Sequence, residues 1–268
     1  MMFFLSLLSF QRLKTKWLLL AVFFAHGLSS PAENIFLRND QTEPKDFSSV
    51  IKQQNHTLNE ETSLEMRAGV FVLKEDKKSY LVQNMSLVNG ATFYCLSDQF
   101  KVNKDIDVEG SNLYVTKKLT WEGVMTLKKP KNILEIRDSY LGFFINAQLR
   151  GGELSIKEKG NLVLQIYNRN QMVEVLKSGE PLIELTGSLK VNSAHSSLVL
   201  IHHKDFEGEL MPGSYPLIKA AEIHAENLNL SFDVPPVLAE DYVELNSDQK
   251  SKVSLEIKEG ILFLEVKL

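Results

Sequence analysis

Three carboxylates stand close together in "HKDFEGEL": Asp205, Glu207 and Glu209. Carboxylate oxygens hold calcium, and pairs of carboxylates cleave glycosidic bonds. Residues two apart in a strand face the same side. The spacing therefore makes these three the candidate carboxylate cluster of the chain. The competing reading is a solvated turn. Just upstream lie His202 and His203, with His195 and His224 nearby. Imidazoles bind transition metals, but adjacent histidines in a strand point to opposite faces. No H-x-x-x-H or cysteine spacing supports them. G-x-S-x-G, G-x-G-x-x-G and G-x-x-x-x-G-K-[ST] are all missing from the sequence, so neither a nucleophile elbow nor a nucleotide loop is indicated. No catalytic residue, metal ligand or cofactor is named by a motif, and the balance leans away from an enzyme.

Ring-bearing side chains are the other candidates. Tyr80, Phe93, Tyr94, Tyr114, Trp121, Phe143 and Phe144 run through the alternating segments. Exposed, they would make platforms for a sugar; inside, they are core. "TLKKPKN", Thr126–Asn132, is a small basic knot suited to an anionic glycan or a lipid headgroup, with a solvated turn as the default. The formal net charge is −4. That provides no basic field for DNA or RNA, so nucleic acid is not an expected partner. Cys95 is the one cysteine, so no internal disulfide can form. Its place in "ATFYCLSD" predicts a small apolar core residue.

The elements that would position these groups are strands. From Gly69 onward, apolar and polar residues alternate in short runs such as "GVFVL", "NLYVT", "GVMTL", "GELSI" and "SLVLI", separated by polar turns. Asn89-Gly90 is a hairpin-type turn signal. No sustained helical stripe appears after residue 70, so residues 69–268 read as an all-β domain. Spacings near twenty residues recur, from Asn112 to Asn132 to Gly152 and from Gly123 to Gly142 to Asn161. Such a period suits a β-solenoid whose coils stack inward Leu, Val and Ile. A β-sandwich or jelly roll with strands every eight to twelve residues is the alternative. Residues 33–68 are polar and read as a linker or arm.

Ahead of that arm, Arg12, Lys14 and Lys16 precede the apolar run "WLLLAVFFAHGL" and the small residues Ser30-Pro31-Ala32. Residues 1–32 therefore read as a secretory signal cleaved after Ala32. An uncleaved anchor is the second reading, because "MMFFLSLLSF" adds another apolar block. Export places the mature chain in the periplasm, at the cell surface or in the medium.

One stretch extends this picture. "FEGELMPGSYPLIKAAEIHAENLNLSFDV", followed by "VSLEIKEGILFLEVKL", resembles the C-terminal stem of autotransporter passenger domains. The residues that carry the likeness are Gly213, Tyr215, Leu217, Ile218, Asn227 and Leu228, with Val253–Leu268 as a final strand pair. The similarity covers about the last half of the chain. It implies a right-handed β-helix, outer-membrane association and a surface ligand, either protein or glycan. The chain carries 14 glycines, fewer than such stems usually have, and no translocator barrel follows Leu268 in it. The function expected is that of an exported, passenger- or adhesin-like envelope protein that acts by binding. The alternatives are a polysaccharide-acting enzyme on a β-helix, using Asp205, Glu207 and Glu209, and a periplasmic structural or lipid-carrying β protein.

Overall fold

Alternation in the sequence becomes three sheets in space. The computed structural model describes residues 33–41, 43–74, 78–129 and 138–268. Within it, Asn34–Leu268 form one unit. The first sheet runs in the order Asn34–Arg38, Ser63–Arg67, Asn84–Val88, Ile106–Glu109, Val124–Lys128, Glu153–Ile156, Ser188–Val191 and Glu222–His224. The second runs Lys45–Asp46, Val70–Leu73, Thr92–Cys95, Asn112–Val115, Ser139–Phe144, Gly160–Ile166, Ser197–His203 and Asn229–Ser231. The third runs Tyr80–Val82, Phe100–Val102, Lys118–Trp121, Gln148–Gly151, Ile183–Leu185 and Gly213–Lys219, and ends on Ile261–Val266 and Val253–Lys258. The chain visits the sheets in turn, and as far as Asn229–Ser231 each strand pairs in parallel with the one laid down on the previous visit.

Inward positions stack in columns because the register repeats. In the first sheet, Leu64 lies beside Met85, and Met85 beside Ile106. In the second, Phe71, Phe93, Leu113, Leu141, Leu162 and Leu198 follow one another. All six are fully buried. Each buried side chain of this size contributes roughly 1.5–3 kcal/mol. A sandwich or jelly roll would need antiparallel sheets. Here antiparallel pairing is confined, among the described residues, to Tyr242–Glu244 on Ser197–His203 and to the last strands of the third sheet.

Both ends of the stack are closed. At the first end, α1 (Phe47–Gln53) starts on Asp46, whose carboxylate accepts from the Ser48 amide at 2.9 Å. It drives Phe47 into a ring cluster with Tyr80, Phe93 and Phe100 at centroid distances of 6.0, 5.3 and 6.2 Å. At the other end, the last two strands form a hairpin, and Gly260 turns it at a φ of 74°. Tyr215, Leu217 and Ile218, in the strand beside that hairpin, are fully buried. Later turns carry α2 (Arg169–Ser178), capped by Asn168 and Gln171, and α3 (Ser247–Ser251).

Three expectations need correction or relocation. Residues 34–67 are not a linker: Ile35 and Leu37 open the first sheet, and Phe47, Leu64 and Met66 are buried. Their apolar residues are few, and apart from exposed Phe36 they pack inward. Partner spacing is near twenty only in places, as from Thr92 to Asn112 at 20; it is longer at the start, from Asn34 to Ser63, and reaches 36 from Asn161 to Ser197, where α2 intervenes. Of the sequence series, Gly142 and Asn161 begin runs that do stack, whereas the runs from Asn112 and Gly152 lie in different sheets. The signal assigned to residues 1–32 lies outside the described residues, as do the run from Asn132 and the end of the basic knot. No described helix is long and apolar enough to cross a membrane.

Candidate binding face

The carboxylate cluster is the first candidate to place. The strand ends at His203, and the chain turns off through a loop in which Gly208 has a φ of 100°. Asp205, Glu207 and Glu209 therefore do not alternate along a strand; all three are exposed on that loop. Asp205 leans back on His203, 3.5 Å from Nδ1. Glu209 lies with Asp248 and Lys252 around a shallow cleft near the C-terminus. Among the described residues, no three His, Cys, Asp or Glu side chains gather into a metal-binding group. His195 and His224 are exposed, and His224 stands 3.4 Å from Glu222.

His202 and His203 lead to a different surface. The ring of His202 packs on Phe206, whereas that of His203 is 4.5 Å from Tyr167 and 5.5 Å from Tyr242. Tyr167 in turn stacks with Phe144 at 6.3 Å. His202 lies at an inward register position and Phe206 packs into the core, whereas the rings of Phe144, Tyr167, His203 and Tyr242 belong to the outward face of the second sheet. Its inward neighbours are Phe93, Leu113 and Leu141, so Tyr94, Tyr114 and Gly142 share one outward register position with Val163 and Val199. Tyr94 stacks on Tyr114 with centroids 5.1 Å apart. Gly142 leaves the space that the Tyr114 ring occupies.

A strap covers this column. After Asn229–Ser231 the chain leaves the sheet, makes a short 3-10 turn at Pro236–Leu238, and returns as Tyr242–Glu244 beside Ser197–His203. Leu238 and Tyr242 pack on Tyr114, Val163, Val199 and Ile201, forming an apolar cluster separate from the main core. Burial pushes the Tyr114 hydroxyl above the usual tyrosine range, and the neighbouring Tyr94, Tyr140 and Tyr242 add to the shift. That hydroxyl has no hydrogen-bond partner among the described residues.

Beside the strap lies an open groove of about 600 Å³. Its floor is the next outward register position: Thr92, Asn112 and Tyr140 on three adjacent strands. Asn112 Nδ2 donates to Thr92 Oγ1 at 3.0 Å. The Tyr140 hydroxyl donates to Asp138 at 3.3 Å, and Lys159 stands 3.7 Å from the same carboxylate. Pro236 and Val237 form the opposite wall. Gly90 and Gly110 end the floor without side chains. Parallel strands lie about 4.8 Å apart, so the groove presents polar groups at a regular step.

Two apolar side chains stand open here: Tyr167 and Val237 are 46 and 40% exposed, whereas Tyr80, Phe93, Trp121 and Phe143 are buried. Phe36, Val243 and Ile257 are exposed too, but off this face. Apolar residues exposed beside a groove mark an interaction surface more than scattered ones do. The sequence pointed to Tyr94, Tyr114 and Phe144 but not to the strap, Tyr140, Tyr167 or Tyr242. Comparisons with family models, curated proteins and solved structures return no match to this chain.

Proposed function

We propose that the chain is an exported envelope or surface protein that acts by binding, on a right-handed β-solenoid like the stem of an autotransporter passenger. The observation that carries this reading is the outward face of the second sheet, where a strap, an open groove and half-exposed Tyr167 and Val237 lie together. Inward columns of Leu, Ile, Val and Phe make a filled, stiff support for such a face. That filled interior speaks against a lipid carrier, and the exposed placement of Asp205, Glu207 and Glu209 against a hydrolase built on them.

Export is supported by the basic, apolar and small-residue order of residues 1–32. Expression of the C-terminally tagged chain in a Gram-negative host, with fractionation and N-terminal sequencing, tests it. The expected result is protein outside the cytoplasm that begins at Glu33. A tagged chain found only in the cytoplasm, with Met1 retained, overturns it.

A further inference from the structure

We infer that the groove between Pro236–Val237 and the Thr92–Asn112–Tyr140 row is a binding site for an uncharged oligosaccharide. This inference rests on the reading of the second sheet's outward face as the binding face. Three observations select the ligand class.

The first is hydrogen bonding. The backbone of these strands is spent on its neighbours, so the floor offers side chains alone. Asn112 Nδ2 is engaged with Thr92 Oγ1, which leaves Asn112 Oδ1 and the Thr92 hydroxyl proton without partners among the described residues. One accepts and the other donates. A ligand that fits must both donate and accept at short intervals, as a chain of sugar hydroxyls does. An extended peptide adding to a sheet needs a free strand edge, and a sheet face does not supply one.

The second is charge. Lys159 and Asp138 at the rim neutralise each other at 3.7 Å, and the Tyr140 hydroxyl donates to the same carboxylate. Among the described residues of the floor and rim, no unbalanced cation calls for a polyanion. The third is shape. Tyr140 brings a ring to the floor, and exposed Val237 brings an apolar wall. A sugar ring has apolar C–H faces and polar edges, and a tyrosine matches both. The groove volume, about 600 Å³, falls in the ~300–1,000 Å³ range of ligand sites.

The test is titration calorimetry of the full chain with soluble malto-, cello- and chito-oligosaccharides of four to six units, and with oligogalacturonate as the acidic control. Saturable binding of a neutral oligosaccharide, weakened at least tenfold by Asn112→Ala and by Tyr140→Ala, is the expected result. Val237→Trp keeps the test sound if a floor variant misfolds: it fills the groove from the exposed wall and is expected to abolish binding with an unchanged melting temperature. Binding of oligogalacturonate alone, binding indifferent to all three substitutions, or no binding by any neutral member overturns the inference. If the oligosaccharides fail while the chain still adheres to envelope material through Tyr167, the binding face stands and only its ligand class falls.

Discussion

The ring of Tyr114 lies against Gly142 on the adjacent strand, so close that a Cβ on Gly142 would come within 2.0 Å of the Tyr114 Cδ1 atom. The two occupy the same outward register position. Glycine here serves a neighbouring ring, because it lets a tyrosine fold flat beneath the strap. Gly142→Ala is expected to push the ring into Leu238 and Tyr242 and to cost about 1–3 kcal/mol, the usual cost of overpacking. Urea unfolding of the full chain measures this. An unchanged midpoint would contradict the packing of the strap.

Phe47 makes a separate prediction about the first end. Its ring closes the stack on Phe93 and Phe100. Phe47→Ala is expected to cost about 3–5 kcal/mol, as for other buried aromatic truncations. A linker residue would cost almost nothing. Thermal melts separate the two, and a variant as stable as the parent would return residues 34–67 to the status of an arm.

Alkaline pH provides a third prediction. Burial raises the hydroxyls of Tyr94, Tyr114, Tyr140 and Tyr242 above their ordinary range, with nearby acidic groups adding to the effect for Tyr94, Tyr140 and Tyr242. A group whose folded pKa is raised contributes stability in full below its unfolded pKa, which is about 10 for tyrosine. That contribution is lost as pH climbs from there toward the folded value. The expectation is constant stability from these groups below about pH 10 and a fall above it. In a 295 nm titration these tyrosines should ionise later than the exposed ones. Titration of all tyrosines as one class near their ordinary value would contradict the burial of the cluster.

Cys95 behaves by the same logic. It is fully buried, and burial pushes its thiol up to about 12, with the Ser97 carbonyl as its contact at 3.8 Å. Thiol reagents at pH 8 should modify it only in denaturant. Rapid modification of the native chain would place it elsewhere.

Much of the support was legible in the sequence. Strict alternation in "NMSLV" and "VMTLK" marks one face for the core, and the register then follows. The arm was misread because its apolar residues arrive in short, widely spaced groups, "NIFLR", "FSSVI" and "SLEMR", separated by polar text; only the sheet shows that Ile35 and Leu64 pair. The carboxylates were misplaced because the alternating pattern seemed to continue past His203, where the backbone turns away. The strap was invisible for a physical reason: Leu238 and Tyr242 are apolar residues in a segment without period, and their value comes from Tyr114, more than a hundred residues earlier in the chain.

Co-sedimentation of the purified full chain with washed bacterial cell-envelope material tests most directly where the molecule binds. Two variants are compared with the parent: Asn112→Ala with Tyr140→Ala in the groove, and Asp205→Asn with Glu207→Gln and Glu209→Gln on the loop. Loss of saturable pelleting in the groove variant alone is the predicted result. Pelleting lost in the loop variant and kept in the groove variant would contradict the assignment of the second sheet's outward face as the binding face.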